Sequence, residues 1–577
     1  MYKGMREEFF KVAGHGREKS IVEALNYMAS RMQQGSMQFS SLWTSAMGLI
    51  MPDLNNVNMS GPGGNIKVNR VYSSEPANIF RNLARFLLGI TFPENTPHFR
   101  GVFRDADTRN VIGPEEMSNS LAAYGAQASE TCRDILREGG FYEAAEEALI
   151  HYTILGCAPI YPVFSRESLD FIHRPIYETP WLLSKNKQPV GVVLYDSYDE
   201  WEALREWGKE GLRMLTQTIP VTAQSLKYHY NSLPASQSWP GAYQSGGMDT
   251  IGPQDKHNLR VKHILIPNNP YMGILETPFY PEMEYIGFQV SEKTQRILDV
   301  ELYPVKPFGV ARDIFISSEA YPRGVGSQVL ADVAVLNKKK KNEYISDSLN
   351  SNSPIVTEGE GFSEPIRNIQ PGAILPMRDG SKATRLYDNS SQWSRTRAIY
   401  EGELEGLRQG TNSDKMLLQE TKRQTAEEYR QQQDTAWGLF QSTNNRLWRH
   451  LGKPILRAVY NYALVTKRLP KPPDEILDGR VLPEFEGISI FSYSSATALG
   501  QQLVRALQPI AAFAEKNPSV LDSVHFEKFI KANMAGHDLG QYLKSDEGIR
   551  ETREQRAQAI AAAMPTKHTQ HLSLIHI

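Results

Sequence analysis

The side chains with most chemical potential in this 577-residue sequence are its clustered bases. Lys338, Lys339, Lys340 and Lys341 follow one another in a helix-compatible run. Lys415, Lys422 and Arg423 gather after the Gly410-Thr411-Asn412-Ser413-Asp414 break, with Arg430 beyond. Ammonium and guanidinium groups so placed suit contact with phosphates, whose counterions they displace. The competing reading is a solvated helix face, the usual fate of charge runs.

Other chemistries find less support. Ser60-Gly61-Pro62-Gly63-Gly64 has the glycines of a phosphate loop but no Lys-Ser/Thr at the required offset. Gly324 and Gly326 resemble the start of a dinucleotide fingerprint, but Tyr-Pro precedes them and the third glycine is missing. His151, His173, His229 and His263 are scattered without metal-ligand spacing, and His568 and His571 lie in an anomalous tail. The carboxylate pairs Asp196/Asp199 and Glu358/Glu360 read as solvated loop charge rather than an acid–base couple. Cys132 and Cys157 are expected to lack a positive partner that would make a thiolate nucleophile. The expectation is a protein that is not an enzyme, with no metal and no cofactor.

Composition sets the frame for these candidates. The chain is too long for one core, so several subdomains are expected. Hydrophobic residues at 40% and charged residues at 22% describe a foldable soluble chain. A net charge of −2 means that any polyanion must be met by local placement of bases. Two cysteines argue for a reducing compartment rather than a disulfide framework. No signal peptide is expected, because MYKGMREEFFKVAGHGREKS has no continuous apolar run, and no apolar run approaches a membrane span.

The bases need elements to hold them. Tyr321 to Pro354 opens with Pro322, Gly324 and Gly326 and continues as a helix, with Val329, Val333, Leu336, Ile345 and Leu349 near helical spacing. Asn350-Ser351-Asn352-Ser353-Pro354 stops it. Some thirty helical residues would reach about 40 Å. From Pro354 to Asn389 the pattern is short and mixed, with extended segments at Pro354-Ile355-Val356 and Ala373-Ile374-Leu375. A second helix is expected over Ser390–Arg408.

Around this pair, helices are expected from Arg17 to Met51, with Ile21, Leu25, Met28 and Met32 on one face. Others are expected from Glu75 to Ile90, and from Glu115 to Leu155 with a break at Gly139-Gly140. Between Ala158 and Ile316 the period falls to two, predicting strands at Pro159–Phe164, Val190–Tyr195, Val261–Ile266, Glu284–Val290, Ile297–Tyr303 and Phe308–Ile316. A helix at Trp201–Leu215 interrupts them, making an α+β body. After Thr425, whose spacing to Glu428 suits a capping box, Trp437, Phe440, Leu447, Leu451, Ile455 and Val459 mark a helix. A short strand at Ile488–Tyr493 and helices at Leu499–Lys516, Val520–Ala535 and Gln541–Met564 complete the reading.

At the two helices bracketing the mixed segment the chain resembles the portal, or head-to-tail connector, proteins of short-tailed bacteriophages of the T7 group. PFGVARDIFISSEAYPRGVGSQVLADVAVLN is similar to that family's strand, Tyr-Gly-Arg-Gly turn and helix. RQTAEEYR (Arg423 to Arg430) resembles its Thr-Ala-Glu-Glu helix start, RLPKPP (Arg468 to Pro473) its Leu-Pro-x-x-Pro turn, and FSYSSATALGQQ its strand followed by Ser-Pro-Leu-Ala. The resemblance runs from about Ile21 to Ala563. Pro322 departs from the family's Gly, and Ser494-Ser495 from its Ser-Pro.

The resemblance implies an α+β, mainly helical portal fold with wing, stem, clip and crown. Residues 1–320 would be wing, 321–350 the first stem helix, 351–389 the clip and 390–407 the second stem helix. Residues 408–424 would form a tunnel loop, 425–487 a wing helix and connection, and 488–565 a crown; 566–577 read as a disordered tail or fusion scar. It also implies a homo-oligomeric ring, a dodecamer in that family, at one vertex of the virion head, assembled in the host cytoplasm. The partners implied are double-stranded DNA, a terminase motor, tail adaptors, and scaffolding and capsid proteins, with no membrane. Lys338, Lys339, Lys340, Lys341, Asn412, Lys415, Lys422 and Arg423 are the candidates for facing the DNA. A near-neutral chain fits such a channel, because a strongly basic bore would hold DNA by its backbone and stall it. The alternatives are another virion structural protein, such as a tail adaptor, and a soluble oligomeric enzyme.

Overall fold

The computed structural model describes residues 3–54, 71–112, 117–164, 168–216, 259–268, 282–314, 316, 319–352, 355–358, 374–377, 384–385, 390–415 and 438–488. The helices are α1 (Arg6–Ala13), α2 (Glu18–Met37), α3 (Ser40–Ile50), α4 (Glu75–Thr91), α5 (Asn119–Glu138), α6 (Phe141–Leu155) and α7 (Glu200–Thr216). They continue with α8 (Val325–Gln328), α9 (Leu330–Ser351), α10 (Ser390–Gly410), α11 (438–447), α12 (Lys453–Val465) and α13 (Asp474–Leu477). The strands are β1 (Phe99–Asp105), β2 (Cys157–Phe164), β3 (Leu169–His173), β4 (Trp181–Leu183), β5 (Pro189–Tyr198), β6 (Leu259–Pro267), β7 (Tyr285–Ser291) and β8 (Ile297–Tyr303). Four more short strands and one longer one follow: β9 (Gly309–Arg312), β10 (Ile355–Glu358), β11 (Ile374–Met377), β12 (Thr384–Arg385) and β13 (Val481–Gly487). Two compact units result. One comprises Met1–Gly89, Glu143–Val163 and Phe171–Pro454; the other comprises Ile90–Tyr142, Phe164–Asp170 and Ile455–Ile577.

The first unit is built on a five-stranded antiparallel sheet in the order β4-β5-β6-β7-β8. Strand alternation sends Ile264, Ile266, Ile286 and Phe288 to one face, where Phe9 and Phe10 of α1 and Ile21, Leu25, Met28 and Met32 of α2 cover them. Leu259, Val261 and Leu298 serve the opposite face, beneath Ala203, Leu212 and Leu215 of α7. Helices on both faces explain why β7 and β8 are buried along their whole length rather than alternately. Each such side chain contributes about 1.5–3 kcal/mol through burial. Helix α7 starts on a capping box: the Glu202 amide donates to Asp199 Oδ1 (2.7 Å) and the Asp199 amide to Glu202 Oε2 (3.2 Å).

A second sheet, ordered β3-β2-β9, holds a difference from the expected strand at Phe308–Ile316: pairing ends at Arg312. The Asp313 amide donates instead to Gly156 O (2.8 Å), and its carboxylate meets Tyr152 and Arg446, so the chain leaves the ladder there. Tyr321 is buried in an aromatic cluster with Trp43 of α3 and Trp181 of β4, with ring centroids 5.3 and 5.1 Å away.

In the second unit β1 pairs antiparallel with β13, and α5 lies against β1. A Cβ on Gly125 would come within 2.9 Å of the Phe103 ring, so glycine permits the contact. Ser129 Oγ fastens it, donating to Gly125 O and accepting from the Gly101 amide, both at 2.8 Å. The break at Gly139-Gly140 falls between α5 and α6, as the sequence predicts.

Candidate functional site

The candidate bases sit on a helical hairpin in the first unit. Gly410 lies against Val329, Lys339 against Glu403 and Lys340 against Tyr400, so α9 and α10 run antiparallel. Between them, β10 pairs parallel with β11 and antiparallel with β12, so the two extended segments read in the sequence are strands of one small sheet. Val329, just before α9, and Val333 and Leu336 of α9 are buried, as are Tyr400, Leu404 and Leu407 of α10. The residues before α4 strap the pair: the Tyr72 amide donates to Asn337 Oδ1 (2.7 Å), and Ser73 and Tyr400 share a hydrogen bond of 2.8 Å.

The hairpin is anchored through glycine. Gly156 adopts φ +87°, and a Cβ there would lie 2.6 Å from the Arg323 carbonyl carbon. A Cβ on Gly324 would meet Gly156 N at 2.5 Å and Ile154 C at 2.8 Å; on Gly326 it would meet Ile154 Cα at 2.8 Å. Ser327 Oγ adds a hydrogen bond to Ile154 O (3.1 Å). The Gly-x-Gly of the sequence is therefore a backbone-to-backbone contact, which accounts for it without a nucleotide. Val329, at φ −91° and ψ 13°, makes a small break between α8 and α9.

The four consecutive lysines divide into two pairs. Lys339 forms an ion pair with Glu403 of α10. Lys340 pairs with Glu343 (2.9 Å) and stands 4.7 Å from the centroid of the Tyr400 ring. Such partly exposed pairs are worth about 0.2–1 kcal/mol each. Lys341 lies 5.5 Å from the Tyr72 ring centroid, and Lys338 makes no ion pair among the described residues. Both are exposed. Positions three apart are neighbours on a helix, so Lys338 and Lys341 share one outward face.

Asn412 has φ +55° in the turn that ends α10, a conformation that asparagine tolerates better than most residues. On either side of it Thr411 and Ser413 are buried, their hydroxyls donating to Leu407 O (3.0 Å) and Arg408 O (3.2 Å). The start of the expected tunnel loop is thus a fastened helix end. Lys415 closes a 3-10 turn; its side chain, together with Lys422 and Arg423, lies outside the described residues. So do the residues of the expected crown after Ile488, the tail, His229, Glu360 and the side chain of Glu358.

Structure brings together histidines that are scattered in sequence. His173 Nε2 lies 3.0 Å from His151 Nδ1, and His173 Nδ1 donates to Pro159 O (2.8 Å). Burial, with mutual repulsion at His173, holds both below the usual imidazole range. His263 instead forms an ion pair with Glu301 (3.0 Å), reaching across β7 where Gly287 leaves room. Burial alone would lower His263, but the carboxylate outweighs it and raises the net value. Glu301 is also met by Gln289 Nε2 (3.0 Å), whose Oε1 accepts from Trp207 Nε1 (2.6 Å), and by the Tyr303 hydroxyl. Each pair is packed within sheet or helix. Arg133 and Arg312 act on the thiols of Cys132 and Cys157, but burial dominates and pushes both upward, against nucleophilic use. Asp196 pairs with Arg174 while Asp199 caps α7, so these two acids do not act as a couple. Among the described residues no three His, Cys, Asp or Glu side chains gather as metal ligands, and no helix is long and apolar enough to cross a membrane.

Residues 258–539, which include the hairpin, match the family model described as bacteriophage head to tail connecting protein. Over that stretch, a little under half of the chain, the sequence is similar to this family of proteins that connect head to tail. No curated protein matches the chain.

Proposed function

We propose that the chain is a portal protein of the T7-group kind: copies form a ring at one head vertex, through which the genome enters and leaves. The observation that carries this reading is the antiparallel α9–α10 hairpin capped by its own small sheet. Twenty-two residues of α9 rise about 33 Å, long enough to line a channel wall. In the wing, stem, clip and crown description, α9 and α10 are the stem and β10–β12 the clip, where a terminase and later a tail adaptor would dock. Tyr344, Ile345 and Ile399, 45–70% exposed near the capped end, suit contact with neighbouring copies.

On this reading Lys338 and Lys341, the two lysines facing outward, are better placed for DNA than Lys339 and Lys340. Asn412, Lys415, Lys422 and Arg423 belong to the tunnel loop. Negative-stain microscopy of purified protein should show rings with a central channel; compact oligomers without a bore would remove the proposal. Replacing Lys415, Lys422 and Arg423 together with Ala should leave rings intact and reduce packaged or retained DNA. Unchanged packaging would remove the tunnel-loop role.

A further inference from the structure

A second set of bases converges in the first unit, on residues other than the lysines of α9. Helix α11 passes into a π-helical turn, Trp448–Gly452, in which the Lys453 amide donates to Trp448 O. Pro454 explains the widening: it has no N–H to give the His450 carbonyl, and its ring would crowd that carbonyl in a regular α-turn. Such turns are frequent at functional sites. This one packs against β9 and carries Arg449 and His450.

The neighbours are also basic. Arg312 of β9 is buried and donates to Lys187 O in the β4–β5 turn. Lys306 donates to Pro189 O (2.8 Å) and lies 4.4 Å from the Phe308 ring centroid. Arg446 meets Asp313 Oδ1 at 3.1 Å. Lys306, Arg312, Arg446 and Arg449 therefore all act on His450, and Asp313 places a carboxylate beside Arg446. Their mutual influence is strong. Burial first, then Arg312, Arg449, Lys306 and Arg446, hold His450 down to about 4. Burial and Arg312 hold Lys306 down to about 8. Partly buried like charges oppose one another unless an anion is present.

We infer that Lys306, Arg312, Arg449 and His450 form an oxyanion site of the phosphate class, with Arg449 as its exposed member. Guanidinium and ammonium donors arriving from separate elements suit an anion with several oxygens, and Arg–phosphate pairing is among the stronger charge-assisted contacts. The phosphate can be a free ion or a phosphodiester of the DNA backbone. A bound anion offsets the repulsion on Lys306 and on His450, so binding draws protons to both and tightens as pH falls, first through about 8 where Lys306 charges and then toward about 4 where His450 does.

The test uses full-length protein titrated with inorganic phosphate against chloride at equal ionic strength, followed by melting temperature and calorimetry in two buffers of different ionisation heat. Phosphate should stabilise the protein with proton uptake. Arg449→Gln, an exposed change, should weaken binding about tenfold, equivalent to about 1.4 kcal/mol. His450→Gln should retain binding and lose the part of the proton uptake that appears below pH 6, and Lys19→Gln, an exposed base of α2, should change neither. A short random-sequence duplex that competes with phosphate would assign the site to DNA backbone, and one that does not would assign it to the free ion; either outcome supports the site. Stabilisation no greater than by chloride, unchanged binding by Arg449→Gln, or binding of polyglutamate in place of phosphate would overturn it.

Discussion

The two ends of the α9–α10 hairpin are made of the same helices but held differently. At the root, glycine backbones touch, Val333 and Leu336 are fully buried, and Tyr72–Ser73 strap the pair. Beyond Glu343, Tyr344 and Ile345 are exposed, and so are Arg395, Arg397 and Ile399 on the partner helix. The periodic reading of Val329, Val333, Leu336, Ile345 and Leu349 as one face holds for the first three. Ile345 is 45% exposed because no described element covers it. An apolar residue at helical spacing marks a face; whether that face is covered within the chain depends on what the rest of the fold supplies.

Substitutions graded along the hairpin sharpen this contrast. Gly324→Ala should cost most, about 4 kcal/mol, since its Cβ would overlap the Gly156 and Ile154 backbones, which cannot rotate aside as a side chain can. Urea unfolding followed by tryptophan fluorescence would read it, and a loss below about 1 kcal/mol would mean that the contact yields. Leu336→Ala should cost less, about 2–3 kcal/mol, the lower part of the range for such a cavity, in the same assay. A double-mutant cycle on Lys339→Ala and Glu403→Ala should return a coupling of about 0.2–1 kcal/mol, reduced by salt. Tyr344→Ser, at the exposed end, should change the stability of the dissociated chain by less than about 0.5 kcal/mol. A loss there comparable to that of Leu336→Ala would erase the difference between root and tip.

Much of this was legible in the sequence because helix and strand periods are local. The two helices, the extended segments between them, the Gly139-Gly140 break and the core strands β5 to β8 all follow from spacing. Pairings over long separations were not legible. Strand β1 meets β13, with Phe99 opposite Gly487, and nothing near Phe99 announces that partner. His173, at the end of β3, meets His151 of α6, and His263 reaches Glu301 because β7 presents Gly287 between them. The division of the lysines likewise depends on helix register, which sets Lys339 against Glu403 and leaves Lys338 outward. The sequence did carry one unread sign of the basic cluster: Pro454, whose missing N–H widens the turn that presents Arg449 and His450.

The glycine contact at the hairpin root has a mechanical consequence. Where side chains separate two elements, rotamer changes can absorb a displacement; here peptide planes of Gly156 and Gly324 bear directly on one another. A push along α9 from its capped end, passed through the Val329 break and α8, would meet at the turn between α6 and β2 a contact with no side chain to yield. From there the hydrogen bond between Asp313 and Gly156 carries it to β9, the strand beneath the π-helical turn. The joint acts as a stiff thrust bearing, so a load applied at one end of the helix is registered in the body of the unit as strain.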